Sequence, residues 1–204
     1  PALDFNLNYY NSDGSQSLCG NGSRAGVMMA ARLGLLNDKT KFNAYDGTHE
    51  AEVFPSGIVR LKMNHVTEVK KVGLDYFINT GSPHHLKFVT DLKSYPVFED
   101  GREIRYSKEY APKGVNANFI ELGDNNTISV RTYERGVEDE TFSCGTGVTA
   151  AALAAFYHGY KSPVKVNVKG GTLSVEFKTG QAGTFDEIFL VGPAKMVFEG
   201  TLEL

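Results

Sequence analysis

The chain has 204 residues, with 21 Lys and Arg against 24 Asp and Glu and a formal net charge of −3. Near balance, with basic residues scattered rather than striped, leaves no electrostatic case for nucleic acid, and no apolar run approaches the length of a bilayer span. Two cysteines make no disulfide scaffold, so the reading is a cytoplasmic chain of one large or two small domains with both thiols free.

The sequence begins at Pro1 without Met, and strand-like alternation over Leu3–Tyr10 follows at once, as if in mid-structure. A polar turn leads to Cys19-Gly20-Asn21-Gly22-Ser23-Arg24-Ala25, which opens a helix predicted over Gly20–Leu33 and ended by Gly34. Strands are predicted at 41–45, 49–54, 58–63, 74–79 and 85–89, then a short irregular helix at 95–106, then strands at 115–122 and 127–133. Cys144-Gly145-Thr146-Gly147-Val148-Thr149-Ala150 opens a second long helix over Gly145–His158, with Gly159 at its end. Strands at 164–168, 173–177, 187–191 and 194–198 complete the chain, and no linker divides it.

The two cysteine phrases are near-copies 125 positions apart, and Gly47-Thr48 and Gly171-Thr172, each opening a strand, are 124 apart. A strand–turn–Cys–helix–strand order kept in register over that distance implies duplicated halves, too long a period for a solenoid. Ala25–Leu36 carries only Arg32 as a charge, and Val148–Tyr157 carries none. A helix apolar on every side is expected to be buried on every side. Each lobe is therefore drawn as a mostly antiparallel sheet curled around one central helix, an α+β fold.

A cysteine at a helix start is placed for chemistry. The helix N-terminus favours the thiolate, and its first turn offers backbone N–H groups to an anion. If the lobes face each other, a carboxylate held between two such starts has a sulfur on each side of its α-carbon. Inverting that stereocentre needs a base on one face and an acid on the other, with convergent N–H groups to stabilise the carbanion. A single buried cysteine is more often a small core residue; two at equivalent repeat positions reverse that. Gly20-x-Gly22 as a dinucleotide loop is weak, because Ser12–Leu18 is no buried parallel strand. Alone, His84 would read as a structural histidine, and Glu134 and Arg135 as an exposed strand end.

At these residues the chain resembles the diaminopimelate epimerase family. The resemblance rests on Tyr10-Asn11-Ser12-Asp13-Gly14-Ser15, the two cysteine phrases, Gly81-Ser82-Pro83-His84, Asn116 and Tyr133-Glu134-Arg135-Gly136. Glu140-Thr141, Lys169-Gly170-Gly171 and Val191-Gly192-Pro193-Ala194 extend it over essentially the whole chain. It implies two pseudo-symmetric lobes, here 1–63 with 198–204 and 64–197, with the active site between them. It implies interconversion of LL- and meso-diaminopimelate in lysine and peptidoglycan precursor synthesis, with no cofactor, no metal and a small molecule as the only ligand. Oligomeric state is open, with a homodimer as the assembly to test for. Cys19 and Cys144 would be the acid/base pair. Gly20, Asn21, Gly145 and Thr146 would bind the reacting carboxylate, while Glu134 and His84 sit beside the reacting amine and the thiols. Asn11, Asn116 and Arg135 would hold the distal end, with Ser82 standing where the family usually has Asn. The family also has a segment before Pro1 that supplies opening strands and a substrate-contacting Asn, so a chain without it is expected to have an open sheet edge, an incomplete pocket and poor activity. Three alternatives stand beside this reading: a two-thiol racemase resembling proline racemase, a non-catalytic binder, and a Cys19–Cys144 redox switch.

Overall fold

The computed structural model describes residues 3–11 and 14–201. Ser12 and Asp13 of the first turn motif, and the parts of the proposed first lobe at 1–2 and 202–204, lie outside the described residues. Strand β1 (Phe5–Asn6) precedes α1 (Gly20–Arg32), and β2 (Lys39–Ala44), β3 (Gly47–Val53) and β4 (Ile58–Lys62) follow it. Then come β5 (Val69–Val72), β6 (Asp75–Asn79), β7 (Pro83–Phe88), α2 (Val97–Arg105), β8 (Asn116–Leu122), β9 (Thr127–Glu134) and β10 (Asp139–Thr141). Helix α3 (Gly145–Ala155) runs into a short 3-10 turn and is followed by β11 (Val164–Val168), β12 (Gly171–Thr179) and β13 (Phe185–Pro193).

The described strands join in one curled sheet, ordered β1-β2-β3-β4-β13-β12-β11-β9-β8-β7-β6-β5, with β10 added beside β9. Most pairs are antiparallel; β1 with β2, β9 with β11, and β7 with β8 are parallel. The duplication is visible in the pairing. A strand ahead of each cysteine, β1 in one half and β9 in the other, runs parallel to the strand after the helix, β2 or β11, and each half continues into a hairpin in which Asn43 faces Thr48 and Asn167 faces Thr172. Both long helices end the same way. Gly34 and Gly159 take φ of +72° and +91°, and the next residues, Leu35 and Tyr160, donate back to Ala30 and Ala155. Those paired bonds form the αL stop that glycine permits.

The helices differ in burial. All eleven residues of α3 are buried, as its uncharged Ala-rich sequence predicts. In α1 only Gly20, Ser23, Arg24, Val27 and Ala30 are buried, a single stripe facing β3 and β4. Its other side leaves Met29 and Leu33 open at 45% and 62%, so the expectation of burial on every side fails for α1. The reason is enclosure: α3 packs against strands from both parts of the sheet, whereas α1 meets mainly β3 and β4. Helix α2 covers the other face of β8 and β9 with a small cluster of Leu92, Val97, Ala117, Phe119 and Tyr133.

Three strand expectations change. Leu3–Tyr10 forms ladder bonds only at Phe5–Asn6, although Phe5, Leu7 and Tyr9 still alternate inward. The strand at 187–191 extends over Phe185–Pro193, and the one expected at 194–198 does not form; Val197 and Phe198 are 88% and 82% exposed. Alternation makes a strand possible, but a ladder partner makes it real. The Lys-rich β5 and the three-residue β10 carry too little apolar pattern to be read from sequence.

Candidate active site

Cys19 and Cys144 are the N-cap residues of α1 and α3, with near-identical extended backbones (φ/ψ −113°/105° and −107°/109°). The glycine after each cysteine lets the two helix starts touch. A Cβ on Gly145 would lie 3.1 Å from Gly20 Cα, and one on Gly20 would lie 3.3 Å from Gly145 Cα, with Leu190 of β13 packed on both at 3.0 Å. Asn21 ties the starts together by donating from Nδ2 to the carbonyl of Ser143 (2.7 Å), the residue before Cys144. Arg24 lies buried one turn further along α1 and donates to Gly20 O (3.2 Å) and Asn21 Oδ1 (3.0 Å).

Above the two helix starts lies a cavity of about 440 Å³, within the range of small-molecule sites. Its wall brings together Cys19, Cys144, Asn11, Gly20, Asn21, Ser82, Asn116, Glu134, Arg135, Gly145 and Thr146. His84 is placed elsewhere. It is fully buried behind Thr146 rather than on the wall, and its Nε2 lies 2.9 Å from Thr146 Oγ1. Sequence reasoning missed Tyr9, Ser15, Ser17, Arg105, Lys113 and Ser143 on the wall. The signal for Tyr9 was available, since it shares the inward parity of Phe5 and Leu7.

The polar groups at the distal side are already interlocked. Asn116 donates from Nδ2 to Ser82 Oγ and Pro83 O, both at 2.9 Å, and its Oδ1 accepts from the Arg135 backbone N–H at 2.9 Å. Arg135 also donates to the Lys113 carbonyl (3.3 Å), and Arg105 pairs with Glu138 (3.0 Å). Asn11 is held in its own loop by bonds to Ser15 and Ser17 at 3.1 Å.

Around Cys144 a relay of side chains determines proton positions. Thr132 donates to Asn118 Oδ1 (2.9 Å), which orients that amide so that Nδ2 meets His84 Nδ1 (3.1 Å). The neutral imidazole then carries its proton on Nε2 and donates to Thr146 Oγ1, whose hydroxyl lies 3.5 Å from Cys144 Sγ. Burial, aided by the charge of Arg135, pushes His84 down to about 3, so the ring stays neutral. Burial, then the nearby Glu134 carboxylate, pushes the Cys144 thiol up to about 12. Glu134 is itself raised by burial, opposed by a hydrogen bond from Thr141 Oγ1 (2.9 Å). No side chain fits at Gly147, because Asn118 Oδ1 occupies that space.

This wall can hold an anion at two touching helix starts, with a sulfur beside each and a guanidinium at the far end. Among the described residues no cluster of three or more His, Cys, Asp or Glu could hold a metal, and no described helix is long and apolar enough to cross a membrane. The diaminopimelate epimerase family model matches residues 76–197. A diaminopimelate epimerase of Flavobacterium psychrophilum is 46% identical over 204 residues, covering 98% of this chain and 79% of that protein. One of Chlorobaculum tepidum is 42% identical, covering 98% and 81%. Among solved structures, a phenazine biosynthesis protein of the PhzF family from Enterococcus faecalis superposes with a TM-score of 0.67 at 14% identity, covering 98% of this chain and 78% of that one. Identity that low speaks to the fold alone, whereas the sequence relatives carry the assignment: the chain belongs to the diaminopimelate epimerase family.

Proposed function

We propose that this cleft interconverts LL- and meso-diaminopimelate by a two-base thiol mechanism, without a cofactor. One observation carries the reading: two N-cap cysteines border a single cavity where their helix starts touch through Gly20 and Gly145. The substrate carboxylate accepts from the first-turn N–H groups of both helices, which become better partners as charge builds on it. One sulfur removes the α-proton as thiolate while the other, as thiol, delivers a proton to the opposite face, and the roles exchange in reverse. The high thiol pKa of Cys144 supports its holding the proton at rest. Glu134 lies beside the reacting ammonium. Arg135 pairs with the distal carboxylate, with Asn11, Ser82 and Asn116 around it. His84 acts at one remove, by fixing the Thr146 hydroxyl.

In this reading the cleft divides a first lobe (1–63 with 198–204) from a second (64–197). The ion pair of Arg32 with Glu199 (2.6 Å) supports placing the chain end with the first lobe. A reducing cytoplasm keeps both thiols unpaired. A two-thiol enzyme acting on proline would leave Arg135 and its neighbours without a ligand group to meet. The test is solvent deuterium incorporation at the α-carbon of each amino acid. Label in diaminopimelate and not in proline is expected, with inversion of the stereocentre lost in both Cys19→Ala and Cys144→Ala. Label in proline alone, or turnover unchanged in either variant, would overturn the reading.

A further inference from the structure

The far end of the cavity is built around the Lys113–Gly114 peptide. Gly114 takes φ of +67°, and a Cβ there would overlap Nη1 and Cζ of Arg105. The Arg105 guanidinium therefore lies in the space a side chain would fill, and the Arg105 side chain is only 14% exposed. The carbonyl of Lys113 accepts from Arg135 Nη1 at 3.3 Å. Two guanidiniums from different elements, the end of α2 and the turn after β9, thus rest on neighbouring residues, and both arginines belong to the cavity wall. A second anchor joins them. Glu138 Oε1 accepts from Arg105 Nε (3.1 Å) and Nη2 (3.0 Å), and from the N–H of Gly136 (2.9 Å), the residue after Arg135. Arg102, three residues earlier on α2, is exposed.

We propose that Arg105 is a specificity residue of the cleft: beside Arg135 it receives a carboxylate at the far end of the ligand, and so selects amino acids that end in a carboxylate over those that end in an amine. This rests on the epimerase reading of the same cleft. A basic residue in the last turn of a helix commonly answers only the helix dipole or a surface carboxylate, and Arg102 fits that description. Neither role requires a glycine in left-handed backbone beneath the guanidinium, whereas a seat flat against the cavity wall does. Glu138 takes Nε and Nη2, which fixes the plane of the fork with Nη1 over Gly114. Charge points the same way. Arg105, Lys113 and Arg135 stand on the wall, and the carboxylate among its described residues is Glu134, which acts on Cys144. Glu138 offsets one of the three cations, so the far end stays positive and favours an anionic group.

The test titrates wild type, Arg105→Gln and Arg102→Gln calorimetrically with three ligands that share one α-amino acid end. They are LL-diaminopimelate, L-2-aminopimelate, which keeps the far carboxylate and lacks the far amine, and L-lysine, which keeps the amine and lacks the carboxylate. Loss of a charge-assisted hydrogen bond costs roughly tenfold in affinity or more. Arg105→Gln should weaken diaminopimelate and aminopimelate about tenfold and leave lysine where it was. In turnover it should raise KM by a similar factor with a much smaller change in kcat, because the contact is made equally before and during the reaction. Arg102→Gln should match the wild type. Unchanged affinity for aminopimelate in folded Arg105→Gln, an equal loss for lysine, or a fall in kcat at unchanged KM would overturn the proposal. Where lysine binds too weakly to titrate, the split between KM and kcat decides. Should Arg105→Gln fail to fold, Arg105→Lys, which keeps a charge beside Glu138 and loses the planar fork, is read against the same outcomes. A wild type that binds neither diaminopimelate nor aminopimelate would overturn the epimerase reading itself, whereas wild-type binding that Arg105→Gln leaves intact overturns only the role of Arg105.

Discussion

The two cysteines share a backbone and differ in almost everything around it. Both cap a helix whose first residue is glycine, and the two glycines touch. Cys144 is buried at the head of a helix enclosed on all sides, next to Glu134 and at the end of the Asn118–His84–Thr146 relay. Cys19 is part-exposed at the head of a helix buried along one stripe, beside the Tyr9 phenol and the buried guanidinium of Arg24. Duplication supplies the symmetric geometry that a two-sided reaction needs. In the two-base reading proposed above, burial of Cys144 beside Glu134 supplies the asymmetry that keeps a proton on that sulfur.

The largest expected effects come from removing either half of the pair. Cys19→Ala or Cys144→Ala should each lower kcat by about 10³-fold or more while leaving the thermal midpoint near the wild type's. A variant that kept turnover would show one sulfur to be dispensable. Next is the contact between the halves. Gly20→Ala or Gly145→Ala forces the helix starts apart and should destabilise by about 1–3 kcal/mol with a clear loss of turnover, measured by denaturant unfolding alongside the assay. Equal stability and activity would mean that the approach is not needed.

His84→Leu leaves Asn118 and Thr146 short of a partner and should cost about 1–3 kcal/mol. It should also change the acid response. His84 has its pKa depressed from 6.5 to about 3, so between those values the unfolded chain binds a proton that the folded chain does not. Its contribution to stability is present above about pH 6.5 and is lost as pH falls towards about 3. Wild-type unfolding free energy should therefore drop more steeply across that window than that of His84→Leu, and parallel curves would contradict the assignment. The smallest effect is expected at the exposed pair of Arg32 and Glu199. Glu199→Gln should change the thermal midpoint hardly at all, and a large drop would show that the chain end contributes more to the α1 side than the structure indicates.

Much of this site was legible in the sequence because its pattern is covalent and local. A cysteine followed by Gly-x-Gly and an alanine run specifies an N-cap thiol, and the repeat states that there are two. Depth was less legible. His84 and His85 lie on a strand with both faces buried, so parity alone cannot say which meets the cavity. His85 goes to Asp75 and Tyr110 on the other side. The open side of α1 and the missing strand at 194–198 share a cause. Apolar content says what a segment could bury, while partners elsewhere in the chain decide what it does bury. Gly20 and Gly145 show the opposite limit: their identity was plain, but the reason, a backbone contact across 125 positions, exists only in three dimensions.

The central claim, that two sulfurs act on opposite faces of one carbon, is tested most directly by early-time turnover of LL-diaminopimelate in deuterium oxide. The account predicts that the first product formed carries deuterium at the inverted α-carbon while recovered substrate still carries protium, because each face has its own proton carrier. Product that retains the substrate's proton, or substrate that gains deuterium as fast as product, would mean that one base serves both faces and would contradict it.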